Sequence, residues 1–282
     1  MHEVIRGKDM KTGTFFRRLA LGVVLLFAAA SQAQATTVTV WGESPFGVSL
    51  ANISNFYTAV PDTTSSVAGG QLDTVDLSDT RLLWAIQPAN DYTQAELDVM
   101  ATFLAGGGRI AFMGEHGTIA PSQNNRINAA LTFLGSDISI NNVILDGGFR
   151  EASVGDGQIL AHPLTVGVDN YEYAAFAPLS IGGDAEALML GEESYLGDPS
   201  IMMAYQNIGP GSIFLITDQN VWDNVLNNWG GNFDNGQMFE NLLLGDTGAP
   251  PVDPPVDTPE PTSLALLGLG LVGMGLRRRK MA

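Results

Sequence analysis

The chain has 282 residues, 33 of them glycine and none cysteine, and a formal net charge of −17 at pH 7. Without cysteine there are no disulfides, zinc–thiolate sites or thiolate nucleophiles, which suits an oxidising compartment where stray thiols are liabilities. From Thr36 to Asp246 the chain holds four arginines (Arg81, Arg109, Arg126 and Arg150), no lysine and 25 acidic side chains, a formal charge of −21. Phosphate binding needs clustered Lys and Arg, so this balance argues against a nucleic-acid partner.

At the N-terminus, Lys11, Arg17 and Arg18 precede an apolar run from Leu19 to Ala30 and the small-residue pattern Ala33-Gln34-Ala35. The arrangement predicts a secretory signal peptide over residues 1–35, cleaved before Thr36. Residues before Met10 fit it poorly, which leaves Met10 as an alternative start. Residues 36–246 then have the length of one domain. A Pro/Asp-rich linker over 247–258 and a tail over 259–282 follow.

Within the domain, Thr37 to Trp41 alternates and is β-branched, which predicts a first strand broken by Gly42-Glu43-Ser44-Pro45. Leu50, Ile53, Phe56 and Tyr57 recur at helical spacing and predict a helix over 49–58. A β-prone stretch covers 65–67. Leu82 to Ile86 is continuously apolar, as a strand buried on both faces of a parallel sheet requires. Thr93 and Glu96 have capping-box spacing ahead of the stripe Leu97, Met100, Phe103 and Leu104, and Gly106-Gly107-Gly108 ends that helix. Strand Arg109 to Met113 completes a βαβ crossover and hence a parallel pair. A helix over 124–134 follows, stopped by Gly135. Short β-like runs at 138–144, 173–176, 187–190 and 201–205 predict an extension or edge of the sheet. Residues 212–217 read as a central strand, paired with 201–205 as a hairpin through the turn Ile208-Gly209-Pro210-Gly211. The last helix carries Met238, Phe239, Leu242 and Leu243 on one side.

In the tail, Pro259-Glu260-Pro261 is followed by an uncharged segment from Thr262 to Leu276 and by Arg277-Arg278-Arg279-Lys280. As a helix, that segment reaches roughly 22 Å, short of the ~30 Å hydrocarbon core. The arginines favour the cytoplasmic side, which puts the preceding domain outside the cytoplasm. A permanent anchor is one reading. These three parts, in this order, resemble the PEP-CTERM sorting signal of exported bacterial proteins. The resemblance implies a short transmembrane sorting helix, processing near Pro-Glu-Pro by an exosortase-type membrane enzyme, and delivery to the cell envelope or extracellular matrix. It also implies extracellular polysaccharide as a partner.

The order of elements from Val38 to Leu244, with His162-Pro163-Leu164-Thr165 and the closing Ser-Ile-Phe-Leu-Ile-Thr-Asp strand, resembles the class I glutamine amidotransferase-like family. The fold implied is α/β, a flavodoxin-like three-layer sandwich with a mostly parallel sheet. Catalytic members carry a cysteine on the turn after the strand matching Arg109–Met113. Here Glu115 and His116 stand in that turn, so cysteine-dependent glutaminase chemistry is excluded.

In an open α/β sheet the ligand crevice lies beyond the carboxyl ends of the strands. Loops 42–45, 87–91, 114–117 and 218–223 are expected to gather there, bringing together Glu43, Glu115, His116, Asp218, Asn220 and Asp223. The competing explanation is that polar residues at strand ends cap helices and satisfy turns. Glu115 and His116 are the candidates for a general acid/base pair in an exported hydrolase, though no GxSxG elbow supplies a nucleophile. The oxygens of Asp218, Asn220 and Asp223 suit Ca²⁺ but not at EF-hand spacing. A zinc site using His116 and His162 lacks any HExxH spacing. Trp222 and Trp229 are candidates for a sugar-stacking platform, against the commoner role of aromatics in a core. The main expectation is a non-catalytic binding or structural protein without a cofactor.

Overall fold

The computed structural model describes residues 36–43, 45–222 and 233–245. In chain order the strands are β1 (Thr36–Gly42), β2 (Thr63–Ala68), β3 (Thr80–Ile86), β4 (Arg109–Met113), β5 (Ser139–Ile140), β6 (Arg150–Ser153), β7 (Asn170–Tyr173), β8 (Leu179–Ser180), β9 (Glu186–Tyr195), β10 (Asp198–Ile208) and β11 (Gly211–Ile216). The helices are α1 (Leu50–Ala59), α2 (Gln94–Ala105), α3 (Pro121–Phe133) and α4 (Asn235–Leu244). Among the described residues no helix is long and apolar enough to cross a membrane. The signal region, the linker and the expected C-terminal sorting helix lie outside the described residues.

The main sheet runs β2-β1-β3-β4-β11-β10-β8-β5, with β9 also on β10. Its central part is parallel: β2 on β1, β1 on β3, β3 on β4 and β4 on β11. Counted among themselves, these five strands have the doubly wound order 2-1-3-4-5, whose direction of winding reverses between β1 and β3. The remaining pairs, from β11 to β5, are antiparallel, and β6 and β7 make a separate antiparallel ribbon.

The continuous apolar runs have a simple cause. Leu82, Trp84, Ala111, Met113, Phe214 and Ile216 enter one core, while Leu83, Ala85, Ile110, Phe112, Ile213 and Leu215 enter the other. Period-2 alternation buries both sets because helices cover both faces. Ile53 and Tyr57 of α1 and Met238, Phe239, Leu242 and Leu243 of α4 close the first face. Met100 and Leu104 of α2 and Ile127, Ala130 and Leu131 of α3 close the second.

The caps expected for α2 are present. Glu96 N donates to Thr93 Oγ1 at 3.2 Å and Thr93 N to Glu96 Oε2 at 2.8 Å. Glu96 Oε1 also accepts from Leu72 N at 3.2 Å, so the cap pins the β2–β3 connection as well. Two expectations need correction. Helix α3 starts at Pro121, ahead of the expected Asn124, because proline's fixed φ suits a first turn that needs no N–H donor. The expected β run 138–144 is paired only at Ser139–Ile140, since the next partner in the register, Pro178, accepts from Asn141 N but has no N–H to return the ladder bond.

Inside the extension, Asp146 is buried with φ +50°. Its carboxylate accepts from Tyr173 Oη at 2.6 Å, Glu192 N at 2.7 Å and Glu193 N at 2.8 Å, which ties the β5–β6 connection to β7 and β9.

Candidate functional site

The loops at the carboxyl ends of the parallel strands do gather, and the bonds between them are specific. Gly42 (φ +137°) pairs with Ile86 in the β1–β3 register, and a Cβ there would stand 2.2 Å from Ile86 O, so only glycine lets β1 leave beside the end of β3. Gln87, buried and at φ +26°, donates from its backbone N to Met113 O at 3.1 Å and from Nε2 to Gln219 Oε1 at 3.0 Å. Gln219 in turn donates from N to Glu115 Oε2 at 3.0 Å and from Nε2 to Phe46 O at 3.3 Å. The exits of β1, β3, β4 and β11 thus form one hydrogen-bonded rim.

Glu115 is fully buried in this rim. Oε1 accepts from His116 N at 2.8 Å and Oε2 from Gln219 N. Its backbone is bracketed by Asn124, whose Oδ1 accepts from Glu115 N at 3.1 Å and whose Nδ2 donates to Glu115 O at 2.6 Å. Each oxygen of the carboxylate therefore accepts from a backbone amide. His116 is turned aside: its Nδ1 lies 2.7 Å from Thr118 Oγ1, and its Nε2 is 3.8 Å from Glu115 Oε1, beyond hydrogen-bond reach. Burial holds its pKa below the ordinary histidine range.

Asp218 is also fully buried, with Oδ2 accepting from Ala174 N at 2.7 Å and Oδ1 from Asn220 N at 2.8 Å. The second bond is an Asx-type turn, the local use such a pair commonly has. Asn220 enters the site through that backbone amide. Asp223 lies outside the described residues. Among the described residues no three His, Asp or Glu side chains converge as a metal site. His162 does not join His116. It caps a short turn by accepting from Leu164 N at 3.0 Å, its ring 5.3 Å from that of Tyr205; burial lowers its pKa, Glu186 opposes that, and Arg109 at the opposite end of β4 is close enough to add to it. The five residues of β4 are about 16 Å of strand, too long for one tetrahedral centre to hold both imidazoles.

The sugar platform is corrected too. Trp222 is fully buried, its ring 4.4 Å from Phe239 and 5.5 Å from Trp84, because the turn Gln219–Trp222 drives it into the core under α1 and α4. Trp229 lies outside the described residues.

Glu43 stands apart from the buried carboxylates. It is exposed, and its Oε2 accepts from Ala89 N at 2.9 Å. It lines a groove of about 290 Å³ at the ends of β1 and β3, with Trp41, Gln71, Asn90, Tyr92 and Glu96. This is the reversal point of the sheet, where doubly wound folds leave an open crevice. Trp41 and Tyr92 stack obliquely at 5.9 Å, and Trp41 Nε1 donates to Gly70 O at 2.8 Å. The sequence reading missed Gln87, Gln219 and Asn124, which organise the rim. Its only hint was Gln87-Pro88, a polar pair ending an otherwise apolar strand.

The fold is mixed α/β with a largely parallel central sheet. Among solved structures, the mmIFT52 N-terminal domain matches with a TM-score of 0.58 at 15% identity, covering 73% of this chain and 95% of that one; at that identity the likeness is one of fold alone. The exo-beta-1,4-mannosidase Op5Man5 from Opitutaceae bacterium strain TAV5 matches at 12% identity and a TM-score of 0.48, over 81% of this chain and 39% of that one. A glutamine amidotransferase from Thermotoga maritima matches at 7% identity and a TM-score of 0.42, over 65% of this chain and 75% of that one. Neither carries an activity over to this chain. No curated protein matched the sequence. The PEP-CTERM protein-sorting motif matches residues 257–280, so the chain carries a signal for export by an exosortase-type system. Its Pro259, Glu260, Pro261, Arg277, Arg278 and Arg279 lie outside the described residues.

Proposed function

We propose that this chain is an envelope or matrix protein released from the membrane by an exosortase-type enzyme, and that its α/β domain acts as a non-catalytic binding or structural module for extracellular polysaccharide. One observation carries the reading. Among the described residues, the two buried crevice carboxylates are engaged by backbone amides: Glu115 by His116 and Gln219, Asp218 by Ala174 and Asn220. A general base must lie within reach of a substrate proton, and these fully buried groups hold the loops together instead. The open groove beside Glu43 is lined by Gln71, Asn90 and Tyr92, residue types suited to hydroxyl-rich ligands. The domain's charge of −21 favours a neutral polymer over an anionic one.

The test is a turnover screen of the mature protein against glycosidic, ester and amide substrates, run beside Glu115→Gln and His116→Ala. No turnover above buffer is expected from any of the three. An activity of the native protein that disappears in either folded variant would establish a hydrolase. Calorimetry with the host's own polysaccharide then reads binding, which Asn90→Ala should weaken.

A further inference from the structure

The parallel end of the sheet finishes on β2, and nothing among the described residues covers its outer side. β2 pairs only with β1, in an unbroken register from Thr36↔Thr63 to Trp41↔Ala68. In such a pair alternate residues turn both N–H and C=O to the neighbour, and those between turn them outward. Natural edge strands are usually protected by Lys, Pro or a bulge. Thr-Thr-Ser-Ser-Val-Ala has none of these, and Thr64, Ser66 and Val67 are exposed, Val67 by 47%.

The charge distribution says which partner this edge admits. The domain carries −21, so two copies repel over most orientations. From Pro45 to Leu72, however, Asp62 is the sole charged residue. That stretch forms β2 and α1, which pack together. The exposed residues of α1, Ala51, Asn55, Thr58 and Ala59, are small or uncharged. This face is where one copy can approach another with least electrostatic cost.

We infer that the outer edge of β2, flanked by α1, is the contact between two copies of this chain, whose β2 strands pair antiparallel about a two-fold axis. Opposed residues in an antiparallel pair share one orientation, both facing the partner or both facing away, so the axis passes through a residue, and centring it on β2 sets Ser65 or Ser66 against its own copy. The two Asp62 side chains then fall about 20–26 Å apart along the strands, beyond the screening length of roughly 8 Å at physiological salt. Strand pairing alone is smaller than the roughly 1,000 Å² that a specific interface buries. The uncharged α1 faces supply the rest by closing against each other.

Sedimentation velocity of the mature protein tests this, with dimer expected and its dissociation constant rising as salt is lowered. Ser66→Lys sets like charges together at the axis and should raise the dissociation constant at least tenfold while leaving the far-UV circular dichroism of the folded chain unchanged. Ser194→Lys, the same charge change on exposed β9, should leave it unchanged. Because the chain has no cysteine, single Ser65→Cys and Ser66→Cys proteins add a positional readout: one of them should form a disulfide-linked dimer on oxidation. A monomer at every concentration, a dimer indifferent to Ser66→Lys, or no cross-link from either cysteine would overturn the inference.

Discussion

Gln219 donates its backbone N–H to Oε2 of Glu115 at 3.0 Å, joining the exit of β11 to the exit of β4 across 104 residues of sequence. The bond is part-buried and Glu115 has no exposed surface, so the carboxylate works as a bracket. Glu115→Ala should cost about 1–3 kcal/mol for each amide left unpaired, measured by urea unfolding. Glu115→Gln keeps one acceptor oxygen and should cost less. A Glu115→Ala protein as stable as the native one would show that the bracket is dispensable.

Trp222→Ala should destabilise the domain by about 3–5 kcal/mol, as large-to-small changes in a packed core do. The ring meets Phe56, Tyr57, Trp84 and Phe239 within 6.3 Å between centroids. A loss of polysaccharide binding at unchanged thermal midpoint would instead restore the platform role.

Arg109 is buried at the start of β4 and donates to Ser212 Oγ at 3.1 Å and to the carbonyls of Leu242 and Gly245, where α4 ends. Arg109→Leu leaves those carbonyls without the guanidinium and should cost about 1–3 kcal/mol each. Limited proteolysis should then cut first near Gly245. Unchanged stability and cleavage would contradict this role.

The two imidazoles set a pH dependence. Burial holds His162 below its ordinary range, with Arg109 adding to the effect and Glu186 opposing it, and burial does the same for His116. Below about pH 6.5 the folded chain therefore binds fewer protons than the unfolded one. The stability these groups contribute is present above that value and falls as pH drops through the window beneath it. Protonating His162 Nδ1 also removes the acceptor for Leu164 N. His162→Asn keeps a capping oxygen without a titrating group, so its urea midpoint should fall less than the native one between pH 7.5 and 5.5. Equal slopes would assign the dependence elsewhere.

Much of the architecture was legible because it follows local rules. Leu82–Ile86 had to be a doubly buried strand, Thr93 and Glu96 had to cap a helix, and Gly135 (φ +78°) had to end one. The gathering of the strand-end loops at one edge of the sheet followed from the parallel order alone. What Glu115 and Asp218 do there did not follow, because Gln219, Asn124 and Ala174 reach them from 104, 9 and 44 residues away. For Trp222 the sequence left a sugar platform open against the commoner core role, and the packing of Phe239 and Trp84 around its ring decides for the core.

The sorting assignment is tested most directly by the intact mass of the protein recovered from its native cell surface. Export through the motif at 257–280 predicts a mature chain cut near Pro259-Glu260-Pro261 and lacking Leu276 and the arginines that follow. A C-terminus that still carries Leu276 and Arg277 would contradict processing and make the tail a permanent anchor.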